Sequence, residues 1–523
     1  MTFPVTAPPA STDILVIGGG PAGSYAAAAL SREGFKVALL EREIFPRYHI
    51  GETLLSSLRP FLRFIDAEEK VKNWGFAVKV GAAVKLNQHK REGYTDFTLG
   101  GAAPERASWS VTRADFDELL LKHAASNGTS VHEGTRVTDI EFSTSEPAQP
   151  VSAKWKSDNE QTGSIKFNYL VDASGKNGIM STRYLKNRKF TESLKNIAYW
   201  GYWTGAGMYG KGTTRENAVW IEALTDETGW AWFIPLHNDV VSVGVVLSDT
   251  SNKMKKAQTP DNKTHYLSQL KLVPGVMDFL ANAKLTSEIK SAGDYSYTAV
   301  NNQYAGPNYR IIGDAGAFLD PLFSSGVHLA FTGGLSAAIT ICASARNHCS
   351  EQDAIAFHND KVAVSYTRFL VVVLGVYQQI HAQKSSILSD IDEDNFDRAF
   401  DFIRPVIQGD ADTHSKMSQI QKAVDLMSMS PGVVAIDPST RERLSKQMDP
   451  ALLTDTGPLL SGKALVEATK DDEEAKNLLH QMNSRKTITG MFDWSHNYAG
   501  DKLNGFSVRM KRGELGLYRE EAA

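Results

Sequence analysis

Asp13–Glu41 reads DILVIGGGPAGSYAAAALSREGFKVALLE, and the fold follows from it. Ile14–Ile17 is a short apolar run, the pattern of a buried strand. Gly18-Gly19-Gly20-Pro21-Ala22-Gly23 follows at once. The Ala-rich stretch after it predicts a helix to about Glu33, Gly34 stops that helix, and Lys36–Leu40 is a second strand ending at Glu41. Strand, glycine turn, helix and strand in this order are the setting in which G-x-G-x-x-G binds a dinucleotide. Gly18 permits the tight turn, Gly20 lets a pyrophosphate approach the backbone, and Gly23 lets helix and strand pack closely. The helix start offers free N–H groups to phosphate. Glu41 falls about twenty residues past Gly20, where a carboxylate accepts from a ribose 2′-OH and repels a 2′-phosphate, so the expected nucleotide is FAD or NAD and not NADP.

Working outward, Ile44–Thr53 is loop-like and gathers Arg47, His49 and Glu52 just past the nucleotide-binding strand. Trp74–Leu86 reads as a strand with Phe76, Val78 and Val80 on one face and Lys79 on the other. Glu92–Gly100 reads as a polar connection. Arg113 opens a helix in which Phe116, Leu119, Leu120 and His123 recur at helical spacing. Val131–Phe142 and Ser164–Asp172 read as strands flanking a polar surface hairpin. Asn196–Leu247 is strand-rich and crowded with tryptophans, among them Trp230 and Trp232 in Trp230-Ala231-Trp232-Phe233-Ile234-Pro235; it is expected to form an antiparallel sheet inserted between halves of the nucleotide domain. Arg310–Gly316 repeats the opening pattern: a strand ends at Gly313-Asp314, and a loop through Ser324, Ser325 and Gly326 feeds a helix of small residues. Asp314 could accept from a ribityl hydroxyl, and the helix start could aim N–H groups at a flavin ring or an anion beside it. Past residue 350, helices are expected at 351–380, 395–403, 415–427 and 462–481, with a charged tail from 501.

The 523 residues are too many for one core. The expected division is a nucleotide-binding module at 10–350, with its inserted sheet at about 190–300, and a helical C-terminal substrate cap at 351–523. A net charge of −4 gives no basic field for nucleic acid or anionic lipid. The only cysteines, Cys342 and Cys349, fit a reducing compartment, the cytoplasm, and leave no metal-ligand cluster. The first eleven residues lack the apolar core of a signal peptide. Phe369–Tyr377, the longest aliphatic run, falls short of the roughly 20 residues of a membrane span and reads as a buried helix.

Three signals in this order, Gly18–Gly23, Arg113 with Phe116-Asp117, and Gly313-Asp314, resemble the FAD-binding fold of aromatic hydroxylases, a glutathione-reductase-like α/β module. Trp230-x-Trp232-x-Ile234-Pro235 resembles the W-x-W-x-I-P signature of flavin-dependent halogenases, and Lys79, in Gly75-Phe76-x-x-Lys79-x-Gly81, falls where that family keeps its active-site lysine. Pro46–Glu52 and Asp320–His328 are similar to further halogenase segments, and Arg91–Phe97 is most similar to the fungal halogenases of phenolic polyketides.

The resemblance implies an oxidoreductase of secondary metabolism in which FAD as FADH2, with O2, oxidises chloride or bromide to hypohalous acid. It implies cofactor contacts from Gly18, Gly19, Gly20, Ala22, Gly23, Glu41, Arg47, Glu52, Arg113, Asp314 and Val327, and halide held by Ser325 and Gly326. Trp230, Trp232 and Pro235 would wall the flavin from the substrate, and Lys79 would deliver halogen to a small phenolic ring. A separate NAD(P)H-dependent flavin reductase is implied, since the chain carries no second nucleotide fingerprint. The base that assists the ring is not identified; His49 and His328 are read as structural or flavin-adjacent. Two rival readings share the flavin motifs. An aromatic hydroxylase of the same fold would not explain Lys79 together with both tryptophans, and a catalytically inactive flavoprotein subunit would not need so complete a cofactor site.

Overall fold

A computed structural model describes residues 7–98, 101, 103–384, 438–453 and 502–519, with short stretches between 458 and 482. Its first sheet is built on the strand Ser11–Ile17, flanked in parallel by Val37–Leu40 and Thr162–Asp172, with Ser130–His132 and Tyr309–Ile311 outside them. The register pairs Ile17 with both Leu40 and Asp172, and Asp172 with Ile311. Gly18, Glu41, Ala173 and Gly313 are therefore brought to one carboxyl edge, where open α/β sheets bind their ligands. The polar stretch expected as a hairpin contains a strand of its own, Pro150–Ser157, which joins Thr135–Phe142 and Thr162–Asp172 in an antiparallel ribbon.

Helix Pro21–Arg32 packs between Gly326–Ala345 and Arg113–Ser126. Small residues allow the approach: a Cβ on Gly334 would lie 3.0 Å from the Ala22 carbonyl oxygen. Helix Glu351–His381 starts at a capping box of Ser350 and Asp353 and buries the whole Phe369–Tyr377 run against the second sheet. Both Gly326–Ala345 and Glu351–His381 are long and apolar enough to cross a membrane, and both are buried inside the fold.

The second sheet runs in the order Lys284–Leu285, Arg188–Thr204, Val240–Ser248, Gly229–Pro235, Val219–Ala223, Gly81–Lys85 and Gly93–Asp96, and Lys290–Ala299 pairs with Arg188–Thr204. It is antiparallel except where Val219–Ala223 meets Gly81–Lys85. The polar connection expected at 92–100 thus supplies an edge strand. The single strand expected over 74–86 breaks at Val80, and Ala77–Lys79 pairs instead with Ser108–Ser110.

The helices expected at 395–403 and 415–427 lie outside the described residues. The tail expected from 501 is a three-stranded sheet, Lys502–Leu503, Phe506–Arg509 and Gly516–Arg519. Phe506, Val508, Leu515 and Leu517 are buried in the core that includes helix Gly326–Ala345, so their alternation outweighs the charges around them.

Candidate active site

Gly18 adopts φ +105°, and a Cβ there would sit 2.3 Å from the Ala173 carbonyl oxygen; one on Gly23 would lie 2.0 Å from the Gly18 oxygen. No side chain is tolerated at either without moving strand or helix. Gly20 caps helix Pro21–Arg32, and Ala22 packs against Gly313. Glu41 is fixed by two backbone donors, Gly19 N–H at 2.5 Å and Glu43 N–H at 2.8 Å. From this end a cavity of about 1000 Å³ runs past Arg47, Arg113 and Asp314 to Glu52, Gly326 and Val327, and on to Trp230 and Trp232. The bare glycine turn, the open helix start and the carboxylate at the strand end fit the pyrophosphate and ribose of a dinucleotide.

Arg113 and Asp117 clamp the middle. Both are buried; Arg113 Nε and Nη2 donate to the two Asp117 oxygens at 2.8 and 2.9 Å, and Arg47 adds a third bond at 3.0 Å. Burial alone would raise the Asp117 pKa, but the Arg113 charge and hydrogen bonds pull it below the usual range. Arg113 Nη1 also donates to Ile50 O at 2.9 Å, tying down the loop that carries His49 and Glu52. Burial raises the Asp314 pKa, against the charges of Lys176, Arg113 and Arg188.

At the far end, Ser324 (φ +58°) turns the chain into helix Gly326–Ala345, and its hydroxyl meets Thr53 Oγ1. Ser325 is fully buried and its hydroxyl has no partner among the described residues. The N–H groups of the first helical turn have no intrahelical acceptor; Ser324, Gly326 and Val327 line the cavity, and Ser325 lies behind them.

Trp230 and Trp232 lie on one face of Gly229–Pro235, ring centroids 5.9 Å apart, with Trp200 at 6.4 Å from Trp232. Trp232 lies over Gly244, where a Cβ would come within 2.2 Å of its ring. Trp230 Nε1 donates to Tyr377 OH at 2.8 Å, and Tyr377 donates to Asp320 Oδ2 at 2.6 Å. Asp320 also accepts from Leu322 N–H in the turn before Ser324. The tryptophan pair is thereby tied to the loop and to helix Glu351–His381. Pro235 ends the strand outside the cavity lining, whereas Trp200, not among the expected wall residues, lines the cavity with Trp230 and Trp232.

Lys79 is 2% exposed, and burial lowers its pKa to about 7. Its Nζ donates to Leu54 O at 3.2 Å and lies 5.2 Å over the Phe97 ring. It is not part of the cavity lining; its partner Leu54 directly follows Glu52 and Thr53, which are. Ser108 is its cross-strand partner, and the buried hydroxyls of Ser108 and Ser110 have no partner among the described residues. His49 Nδ1–H donates to Ile50 O at 2.6 Å, and its pKa is held near 4, chiefly by the Arg113 charge. His328 is packed between Phe61 and Phe369 and bonded to Ser57. Among the described residues no group of side chains could hold a metal.

The family model described as tryptophan halogenase matches residues 13–107 and 98–387. A flavin-dependent halogenase of Armillaria mellea, armH1, is 53% identical over 521 residues, 98% of this chain and 99% of its own. The sulochrin halogenase gedL of Aspergillus terreus is 43% identical over 533 residues, 98% and 94%. The crystal structure of CmlS, a flavin-dependent halogenase, superposes with a TM-score of 0.65 at 25% identity, over 84% of this chain and 78% of that one.

Proposed function

The chain belongs to the flavin-dependent halogenase family, and on that premise we propose that it replaces a ring hydrogen of an electron-rich phenol with chlorine or bromine. Bound reduced FAD, with O2, supplies the oxidant that turns halide into hypohalous acid. Gly18–Gly23 and Glu41 hold the nucleotide end, and Arg113, Asp314 and Val327 the flavin end. Ser325 and Gly326 hold the halide. Trp230, Trp232 and Trp200 keep the ring out of the cofactor cavity, so the oxidant meets halide first. A separate flavin reductase supplies the reduced cofactor.

Lys79 carries the reading. A buried amine with a pKa of about 7 is half neutral at neutral pH and nucleophilic in that form. It hydrogen-bonds the hypohalous acid or takes its halogen, forming N–Cl and releasing water, and the ring then attacks that halogen. Transfer through the neutral amine makes chlorination rise with pH through about 7; transfer through an ammonium donor makes it fall. The pH–rate profile of saturated enzyme reads which holds.

Phenols should be chlorinated and their O-methyl ethers should not, because the phenolate oxygen activates the ring. Liquid chromatography with mass detection on matched pairs tests this; equal chlorination of the ethers would refute the phenolic assignment. Bromide should replace chloride, since a helix start selects charge more than size, and fluoride should not react. Exclusion of bromide in a competition assay would contradict this site.

Trp230→Phe and Trp232→Phe should each retain FAD and lower the product formed per NADH consumed. Unchanged coupling with a lowered melting temperature would reduce both rings to sheet packing.

A further inference from the structure

Halogenation of a ring C–H takes up protons. One anionic reduced flavin, one O2, one halide ion, one ring C–H and two protons give oxidised flavin, one carbon–halogen bond and two waters. Helix Gly326–Ala345, the loop Arg47–Thr53 and the tryptophan sheet line the flavin end of the cavity, where a buried carboxyl, Glu52, can relay those protons. Glu41, held by two backbone donors, lies at the nucleotide end of the cavity.

We propose that Glu52, Tyr202 and Tyr48 form a proton wire from solvent to the flavin end of the cavity. Glu52 is 3% exposed and lines the cavity next to Thr53, whose hydroxyl meets Ser324. Tyr202 OH donates to Glu52 Oε1 at 2.7 Å, and Tyr48 OH lies 2.9 Å from Tyr202 OH. Trp200 Nε1 donates to Tyr48 OH at 2.6 Å. An indole N–H can only donate and a carboxylate can only accept. The two ends therefore set the direction of the hydroxyl protons, Tyr48 to Tyr202 to Glu52. Tyr48 is 48% exposed, with the Lys290 ammonium 4.3 Å over its ring, so the chain reaches water in two hydroxyls.

The groups facing Glu52 suit the role. Burial raises its pKa to about 6, opposed by the hydroxyls of Ser242 and Tyr202 and by the Arg113 charge from helix Arg113–Ser126. His49, on its own loop, is neutral at this pH. Glu52 thus gains and loses a proton near neutral pH, and neither tyrosine need ionise to pass one along a cooperative chain. Bonds that merely pinned the loop to the sheet would not require a titrating terminus in the cavity or an exposed one at the surface.

The proposal rests on the halogenase reading, and two readouts separate them. In flavin-free protein, the Glu52 carboxyl band in the infrared (wild type minus Glu52→Gln) should titrate near pH 6. It should move to higher pH in Tyr202→Phe, which loses a donor to the ionised form, and stay in place in Tyr48→Phe. In the complete system with flavin reductase, Tyr48→Phe should bind FAD normally, chlorinate tenfold or more slowly, show a larger solvent deuterium isotope effect, and recover rate with small protonated buffers such as formic acid. A Tyr48→Phe enzyme with unchanged rate and isotope effect overturns the wire, as does a slow one that buffer does not rescue. Absence of chlorinated product from wild type would instead overturn the halogenase reading, and the infrared titration would still report on Glu52.

Discussion

Lys79→Ala is expected to lower chlorination by about a thousandfold, in the range for deleting a group that contacts the reacting atoms. FAD affinity and NADH-driven peroxide release should stay near wild type, because Lys79 lies outside the cavity lining and touches no residue of the glycine turn. The proposed mechanism separates two steps, halide oxidation at the start of helix Gly326–Ala345 and halogen transfer behind Glu52–Leu54, and Lys79 would serve only the second. Stability should move the other way. Lys79 has its pKa lowered on folding, so the folded state binds protons less readily between pH 7 and 10.5. Stability contributed by this group therefore rises with pH across that window and is lowest below pH 7, where the ammonium is buried. Lys79→Met, similar in length and without charge, should be inactive yet melt higher than wild type at pH 6. Chlorination by Lys79→Ala at the wild-type rate would contradict its role, and a Met variant that melts lower would contradict the buried charge.

Asp117→Ala is expected to destabilise by about 3–5 kcal/mol, the cost of leaving a buried partner charge uncompensated. The Asp117 side chain is completely buried and accepts three bonds from two arginines. Without it, Arg113 keeps its charge in a closed site with only the Ile50 and Gly51 carbonyls, and Arg47 loses its one ion pair among the described residues. Because Arg113 holds the loop that carries Glu52, FAD affinity should fall as well. Denaturant unfolding and flavin fluorescence titration measure the two effects. A midpoint change worth less than about 0.5 kcal/mol, typical of an exposed position, would show that Asp117 does not compensate a buried charge.

The nucleotide half was legible because its chemistry is local. The glycine spacing, the short strands and Glu41 sit within thirty residues, and the structure sets them at one sheet edge. The apolar run in helix Glu351–His381 was legible for the same reason. Lys79 shows where periodicity stops informing. The expected strand sets Phe76, Val78 and Val80 on an apolar face opposite Lys79, but the strand formed is only Ala77–Lys79, with Val78 50% exposed and Lys79 2%. The inner face of this strand is set by its ribbon partner Ser108–Ser110, which no local pattern names. Tyr48, Tyr202 and Glu52, or Trp230, Tyr377 and Asp320, are joined by polar contacts across long stretches of chain. Such contacts leave no period in a sequence. The C-terminal sheet was hidden differently: its alternating Phe506, Val508, Leu515 and Leu517 are diluted by Arg509, Lys511, Arg512 and Glu514.

The same fold can add oxygen to a ring, so the identity of the transferred atom decides the account. The purified chain, with FAD, NADH, a flavin reductase, O2 and sodium chloride, should be incubated with a panel of phenols and the products weighed by high-resolution mass spectrometry. The account predicts products in which chlorine replaces a ring hydrogen, with chlorine's isotope pattern, and none in Lys79→Ala. Products that gain one oxygen and no chlorine would contradict it.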